Sequence, residues 1–286
     1  TWTHQEHLED PWSDYPIFLL PHVSAKNVRG DPMHILFCKG LYSHLLGGIL
    51  HYACWWEGPG KVCQEKPWKR LGFIFDEIQE ECRSQNLSNR LTNLRLAMFT
   101  DAGKPWASKA SLDIKAGEAK HLLPAIVPVL ANLYGPTMHV REEERKMISA
   151  ATSLEKLVAL WDEAGTFLSP SQFAKCLALG KEFLLAYKWL NSWSLENSRN
   201  SFAIVAKHHT FIHLLLNSKF MNPRRQWCFR GEDFVGHVSK MAHSISFGVS
   251  STKISTKLCP KYRIFFHLLS TRGLEKPLWD EEGEIF

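Results

Sequence analysis

The sequence predicts a mainly α-helical protein, on three observations. Apolar residues recur at helical spacing in several long segments, most clearly in Arg141–Glu163. Two helix starts are written as a capping residue followed by proline, Asp31-Pro32 and Ser169-Pro170. Strand patterning is scarce, and Ile17-Phe18-Leu19-Leu20 is the one short candidate.

Taken in order, residues 1–30 read as irregular, punctuated by Pro11, Pro16 and Pro21. Asp31 then caps a helix that opens the apolar run Met33–Trp56. Gly47-Gly48 inside that run predicts close helix packing or a bend, and Gly58-Pro59-Gly60 ends it. Pro67–Gln85 carries apolar residues at 71, 74, 75 and 78, a helical period. Asn89–Phe99 is expected to be a short helix and Thr100–Ser111 a loop. Helices follow at Gly117–Tyr134, Arg141–Glu163, Ser169–Ser192 and Phe202–Asn217. Glu142, Glu143 and Glu144 suit the positive end of the second of these helices. Met221–Gly231 is a loop rich in Arg and aromatics. Glu232–Ser246 and Lys261–Ser270 read as helices, and Leu274–Phe286 as an acidic tail. The expected organisation is an irregular segment 1–30, a helical domain 31–220, a basic region 221–273 and the tail 274–286.

At 286 residues and 45% hydrophobic, the chain can bury a substantial core, and its 22% charged fraction argues against wholesale disorder. The seven cysteines form no C-x-x-C pair, so reduced thiols in an intracellular compartment are expected. Polar Thr1–Asp10 does not read as a secretory signal. The missing initial Met points to a fragment or to a gene model cut at its 5′ end. Met33–Trp56 carries Lys39, His44 and His51, and Leu122–Leu133 is short and holds Pro124 and Pro128. Neither reads as a membrane span. Charge is uneven: Arg199–Arg272 holds twelve Lys/Arg and two acids, Glu232 and Asp233. That segment is +10 on a chain of +5, leaving −5 elsewhere. Such a segment fits an anionic partner such as DNA, or a solvated basic face without one.

Three constellations could carry chemistry. Asp31 and His34 lie one turn apart and could act as an acid–base pair or share a metal. A cap and a core imidazole are the plainer reading. Lys207-His208-His209-Thr210-Phe211-Ile212-His213 puts His209 and His213 at i and i+4, a zinc-compatible spacing. No Glu follows the first of them, and a packed or surface pair beside a basic face is the favoured reading over a metal site. Arg224, Arg225 and Arg230 interleave with Trp227 and Phe229, which suits phosphate contact and base stacking. Glu232 and Asp233 open a helix in that basic setting. They serve either as dipole partners or as ligands for a metal held against a phosphodiester.

In this order the segments resemble the C-terminal half of eukaryotic cut-and-paste transposases of the CACTA type and the Kyakuja–Dileera–Zisupton group. The resemblance covers about Pro21 to Arg272. Asp31 and His34 match the family's D-x-x-H motif, with Lys39-Gly40 after it. Lys115–Lys120 matches a K-x-x-E-like helix opening. Lys207, His209 and His213 match P-K-x-H-x-x-x-H, with Ala206 in place of the proline. Glu232, with Phe229 and Gly236, matches the setting of the catalytic Glu.

The resemblance implies a helical insertion plus the C-terminal fringe of an RNase H-like core with a DDE triad. It implies Glu232 as catalytic metal ligand, Asp233 as a second ligand, and Asp31 and His34 as accessory active-site residues. Lys207, His209, His213, Arg224, Arg225, Trp227 and Arg230 would contact DNA. The ion would be Mg2+ or Mn2+. The two strand-borne aspartates of a complete triad are not expected before Asp31, where the only aspartates are Asp10 and Asp14 in a proline-rich stretch. This chain alone is therefore expected to be inactive, at work in the nucleus or cytoplasm, with no membrane partner and self-association left open. Two rivals stay in view: a non-catalytic helical DNA- or protein-binding module, and a small metal-dependent hydrolase centred on Asp31, His34, His209 and His213.

Overall fold

The computed structural model describes residues 30–56, 64–87, 91–100, 109–134 and 140–229, with scattered positions from 236 to 264. The described residues are mainly helical and include no strand. The expected strand at Ile17–Leu20, the 274–286 tail, and Arg230, Glu232 and Asp233 lie outside the described residues. The chain divides into two compact units, Thr1–Gln226 and Trp227–Phe286.

In the first unit, α1 (Pro32–Leu36) begins at Asp31, whose carboxylate accepts the Met33 N–H at 3.1 Å and the His34 N–H at 3.3 Å. After a turn with Lys39 in the left-handed region (φ 47°), α2 (Leu41–His51) runs into a π-helical turn, Tyr52–Trp56. The break in the apolar run thus falls at 37–40, not at Gly47-Gly48. Those glycines sit inside α2 at close approaches: a Cβ on Gly47 would lie 2.6 Å from the Ser111 backbone, and one on Gly48 2.4 Å from the Phe202 ring.

Pro67–Ser84 forms α3. The helix expected at Asn89–Phe99 is, among the described residues, only a 3-10 turn, Leu96–Met98, preceded by Arg95 in extended backbone. The reason is tertiary: the Met98 and Phe99 carbonyls accept the Asp113 and Ser111 N–H groups. Helix α4 (Ala116–Tyr134) continues through Pro124 and Pro128. Each proline removes one i→i−4 bond, so burial of Leu122, Leu123, Ile126, Val129 and Leu130 sustains the helix instead.

Helices α5 (Glu142–Glu163) and α6 (Pro170–Glu196) form the closest-packed pair. Met147, Leu154, Leu157 and Trp161 of α5 are fully enclosed, as are Cys176, Phe183 and Leu190 of α6. Each such apolar side chain contributes roughly 1.5–3 kcal/mol by leaving water. Ser169 caps α6 by accepting the Gln172 N–H at 3.2 Å. Helix α7 (Ala206–Asn217) starts four residues later than expected, because Phe202 is drawn into the core against Gly48 and Tyr187. α4 lies between α3 and α5, α2 packs on α5, and α7 on α6.

Pro32–Trp56 is long and apolar enough to cross a membrane by length and composition, yet 83% of its most apolar window is buried within the protein. In the second unit, described residues at 256–261, 263 and 264 are helical, so that helix begins before Lys261.

Candidate functional site

Helix α1 is five residues long, and its position is set by its neighbours. It packs on α7 and on a 3-10 turn, Pro223–Gln226. Three segments separate in sequence therefore meet in one part of the first unit: Asp31–His34, Lys207–His213 and Arg224–Arg225. The contact is specific. Lys207 Nζ donates to the Cys38 carbonyl at 2.6 Å and to the Lys39 carbonyl at 3.1 Å. Burial lowers the Lys207 pKa from its usual value. The ammonium braces the turn after α1, where Lys39 in turn pairs with Asp113 at 3.3 Å.

Asp31 and His34 are paired directly, His34 Nδ1 against Asp31 Oδ2. Both carboxylate oxygens also hold N–H groups of the helix start. The cap and the acid–base pair expected from sequence are thus one arrangement. It orients the imidazole and fixes which ring nitrogen faces the carboxylate.

The three histidines of the 207–213 segment divide by face. His208 is buried, with its ring 4.5 Å from Tyr187 and Nδ1 3.2 Å from the Val205 carbonyl. Burial lowers its pKa to about 4. His44, also buried, is lowered to about 4 by burial and by Lys109. His209 and His213 lie away from that buried side, and their Nε2 atoms are 2.9 Å apart.

The basic turn is tied down by a residue to which the sequence reading gave no role. Asn222 is completely buried. Its Nδ2 faces the carbonyls of Trp161, Ala164 and Gly165 at 2.8, 3.1 and 2.9 Å, and its Oδ1 accepts the Arg224 N–H at 3.0 Å. Arg224 Nε then meets Asp162 Oδ1 at 2.6 Å. An Asn before Pro marks a turn in any sequence, and nothing local shows that it will also close the end of α5.

A second feature missed by sequence is an indole stack. Trp56 and Trp193 are 4.2 Å apart at 16°, Trp189 continues the stack, and the Arg199 guanidinium lies 3.4 Å above Trp56. Arg199, Lys207 and Arg224 are thus engaged within the fold, so the basic segment presents less charge to a partner than its composition suggests.

Mg2+ or Mn2+ requires several oxygen donors. Asp31 spends both oxygens on N–H groups, and among the described residues no three carboxylates converge. Glu232 and Asp233, the residues expected to hold such an ion, lie outside the described residues. In the second unit, Trp227 and Phe229 rings are 5.4 Å apart, an aromatic pair at the start of the basic region. Comparison of the chain with protein-family models, curated proteins and solved structures gives no match.

Proposed function

We propose that the chain is the helical, DNA-contacting part of a transposase-like protein, acting in the nucleus or cytoplasm. The observation that carries this reading is the contact of Lys207 with the Cys38 and Lys39 carbonyls. It joins the D-x-x-H and K-x-H-x-x-x-H segments, which the resemblance would require to work together. The paired Asp31–His34 and the exposed Arg225 border the same elements. The role of Glu232 and Asp233 as ligands for Mg2+ or Mn2+ belongs to the intact protein and rests on the resemblance.

The test is binding of a short duplex DNA to the whole chain, followed by fluorescence anisotropy across a salt series. Each phosphate contact contributes about −0.9 to the slope of log K against log salt. A slope of about −3 or steeper is the expected result. A slope near zero, or no binding at low salt, overturns the reading. Glu232→Gln separates the catalytic version from a plain binding module. Loss of Mn2+-dependent DNA affinity supports a metal ligand, and unchanged affinity with and without Mn2+ leaves only the module.

A further inference from the structure

His209 and His213 stand one turn apart on α7, away from the buried side of the helix that holds His208. Their Nε2 atoms are 2.9 Å apart and their rings are nearly perpendicular, at 83°. Among the described residues, each imidazole has its hydrogen bond only with the other. We propose that this pair is a two-nitrogen chelate for a divalent late first-row cation, Cu2+ or Ni2+, a role other than the DNA contact that the resemblance implies for these two residues.

The ligand type sets the class of ion, and the i, i+4 spacing lets both nitrogens reach it. Metal–imidazole bonds are about 2.0–2.1 Å long. Two such bonds at a right angle hold their nitrogens about 2.9 Å apart, whereas a tetrahedral angle needs about 3.3–3.4 Å. The observed separation is that of a hydrogen bond between the two rings, and small rotations of these side chains bring both nitrogens onto one ion. Neutral imidazole is a borderline ligand that favours Cu2+ and Ni2+ over earlier divalent cations. The remaining positions open to solvent, since His209 is exposed. The helix supplies the preorganisation: i and i+4 side chains already face each other, so binding the second nitrogen orders little new chain.

The experiment is titration of Ni2+ into the whole chain against a chromophoric competitor, using the parent, His209→Gln and His213→Gln. One equivalent should bind the parent, and each substitution should weaken it at least tenfold by removing one arm of the chelate. Bound Cu2+ should show two imidazole nitrogens by electron paramagnetic resonance in the parent and one in each variant. His209 is exposed, so His209→Gln keeps the fold, with far-ultraviolet circular dichroism as the check. Equal Ni2+ affinity in the parent and His209→Gln overturns the proposal.

Discussion

Lys207 Nζ donates to the carbonyl of Cys38 at 2.6 Å, closing a contact across 169 positions of chain. A lysine in a basic segment invites assignment to a phosphate. Here its ammonium holds the turn after α1 against α7. Lys207→Met keeps the apolar stem and removes the donors, leaving two carbonyls to find water. The expected cost is about 1–2 kcal/mol, read as a lower urea midpoint. A midpoint unchanged from the parent, with DNA affinity reduced, would return Lys207 to the role of direct phosphate ligand.

Asn222 is the other long-range tie. Its side chain serves three carbonyls at the end of α5 and one N–H of the basic turn. Asn222→Ala leaves these groups buried without it and is expected to cost about 2–4 kcal/mol. Asn222→Asp is isosteric but replaces the donor with an acceptor facing carbonyl oxygens, so it should be at least as damaging. Equilibrium unfolding of both variants checks the order. If Asn222→Asp matches the parent, the amide does not hold the turn.

The two buried histidines set a pH dependence. Burial is the largest cause of the lowering at both His44 and His208; Lys109 adds to it, and the backbone bonds to Ala110 and Val205 oppose it. Each folded-state value of about 4 lies below the unfolded value of about 6.5, so the unfolded chain takes up protons first. Their contribution to stability is full above about pH 6.5, falls as pH drops toward 4, and is flat below. Each should account for up to about 3 kcal/mol of that loss. Unfolding midpoints at pH 7, 6 and 5 measure it, and His208→Phe should flatten the slope. An unchanged slope in that variant removes His208 from the account.

What was legible in the sequence is the part that local chemistry controls. Ser169-Pro170 and Asp31-Pro32 start helices, because caps and first-turn prolines act within four residues. The apolar stripe of Leu154, Leu157, Val158 and Trp161 marks the buried face of α5 correctly. The paired glycines 47 and 48 were legible as a packing device. Their partners, Ser111 and Phe202, were not, because periodicity does not say what approaches a face. The 96–98 segment failed as a helix for the same reason: its carbonyls bond residues 111 and 113, a tertiary choice that propensity does not record. At the site, the sequence marked Asp31, His34, Lys207 and Arg224 as candidates. It could not show that Lys207 and Arg224 have partners inside the fold, since a cation's partner is set by topology.

That distinction separates the two arginines of the basic turn. Arg224 meets Asp162 at 2.6 Å and is tied through its N–H to Asn222, while Arg225 is exposed. Arg225→Ala should reduce DNA affinity about threefold to tenfold at low salt and make the salt slope about one unit shallower. Its unfolding midpoint should stay at the parent value, because an exposed side chain away from special contacts is worth within about 0.5 kcal/mol. Arg224→Ala should do the reverse. A half-exposed ion pair is worth roughly 0–1 kcal/mol, so a small loss of stability is expected, with a smaller change in salt slope than Arg225→Ala gives. The two variants measured side by side, by anisotropy and by urea unfolding, distinguish a DNA-facing cation from a fold-facing one. If Arg224→Ala changes the salt slope as much as Arg225→Ala, Asp162 does not retain Arg224 when DNA is present. The turn would then present both guanidiniums to phosphate.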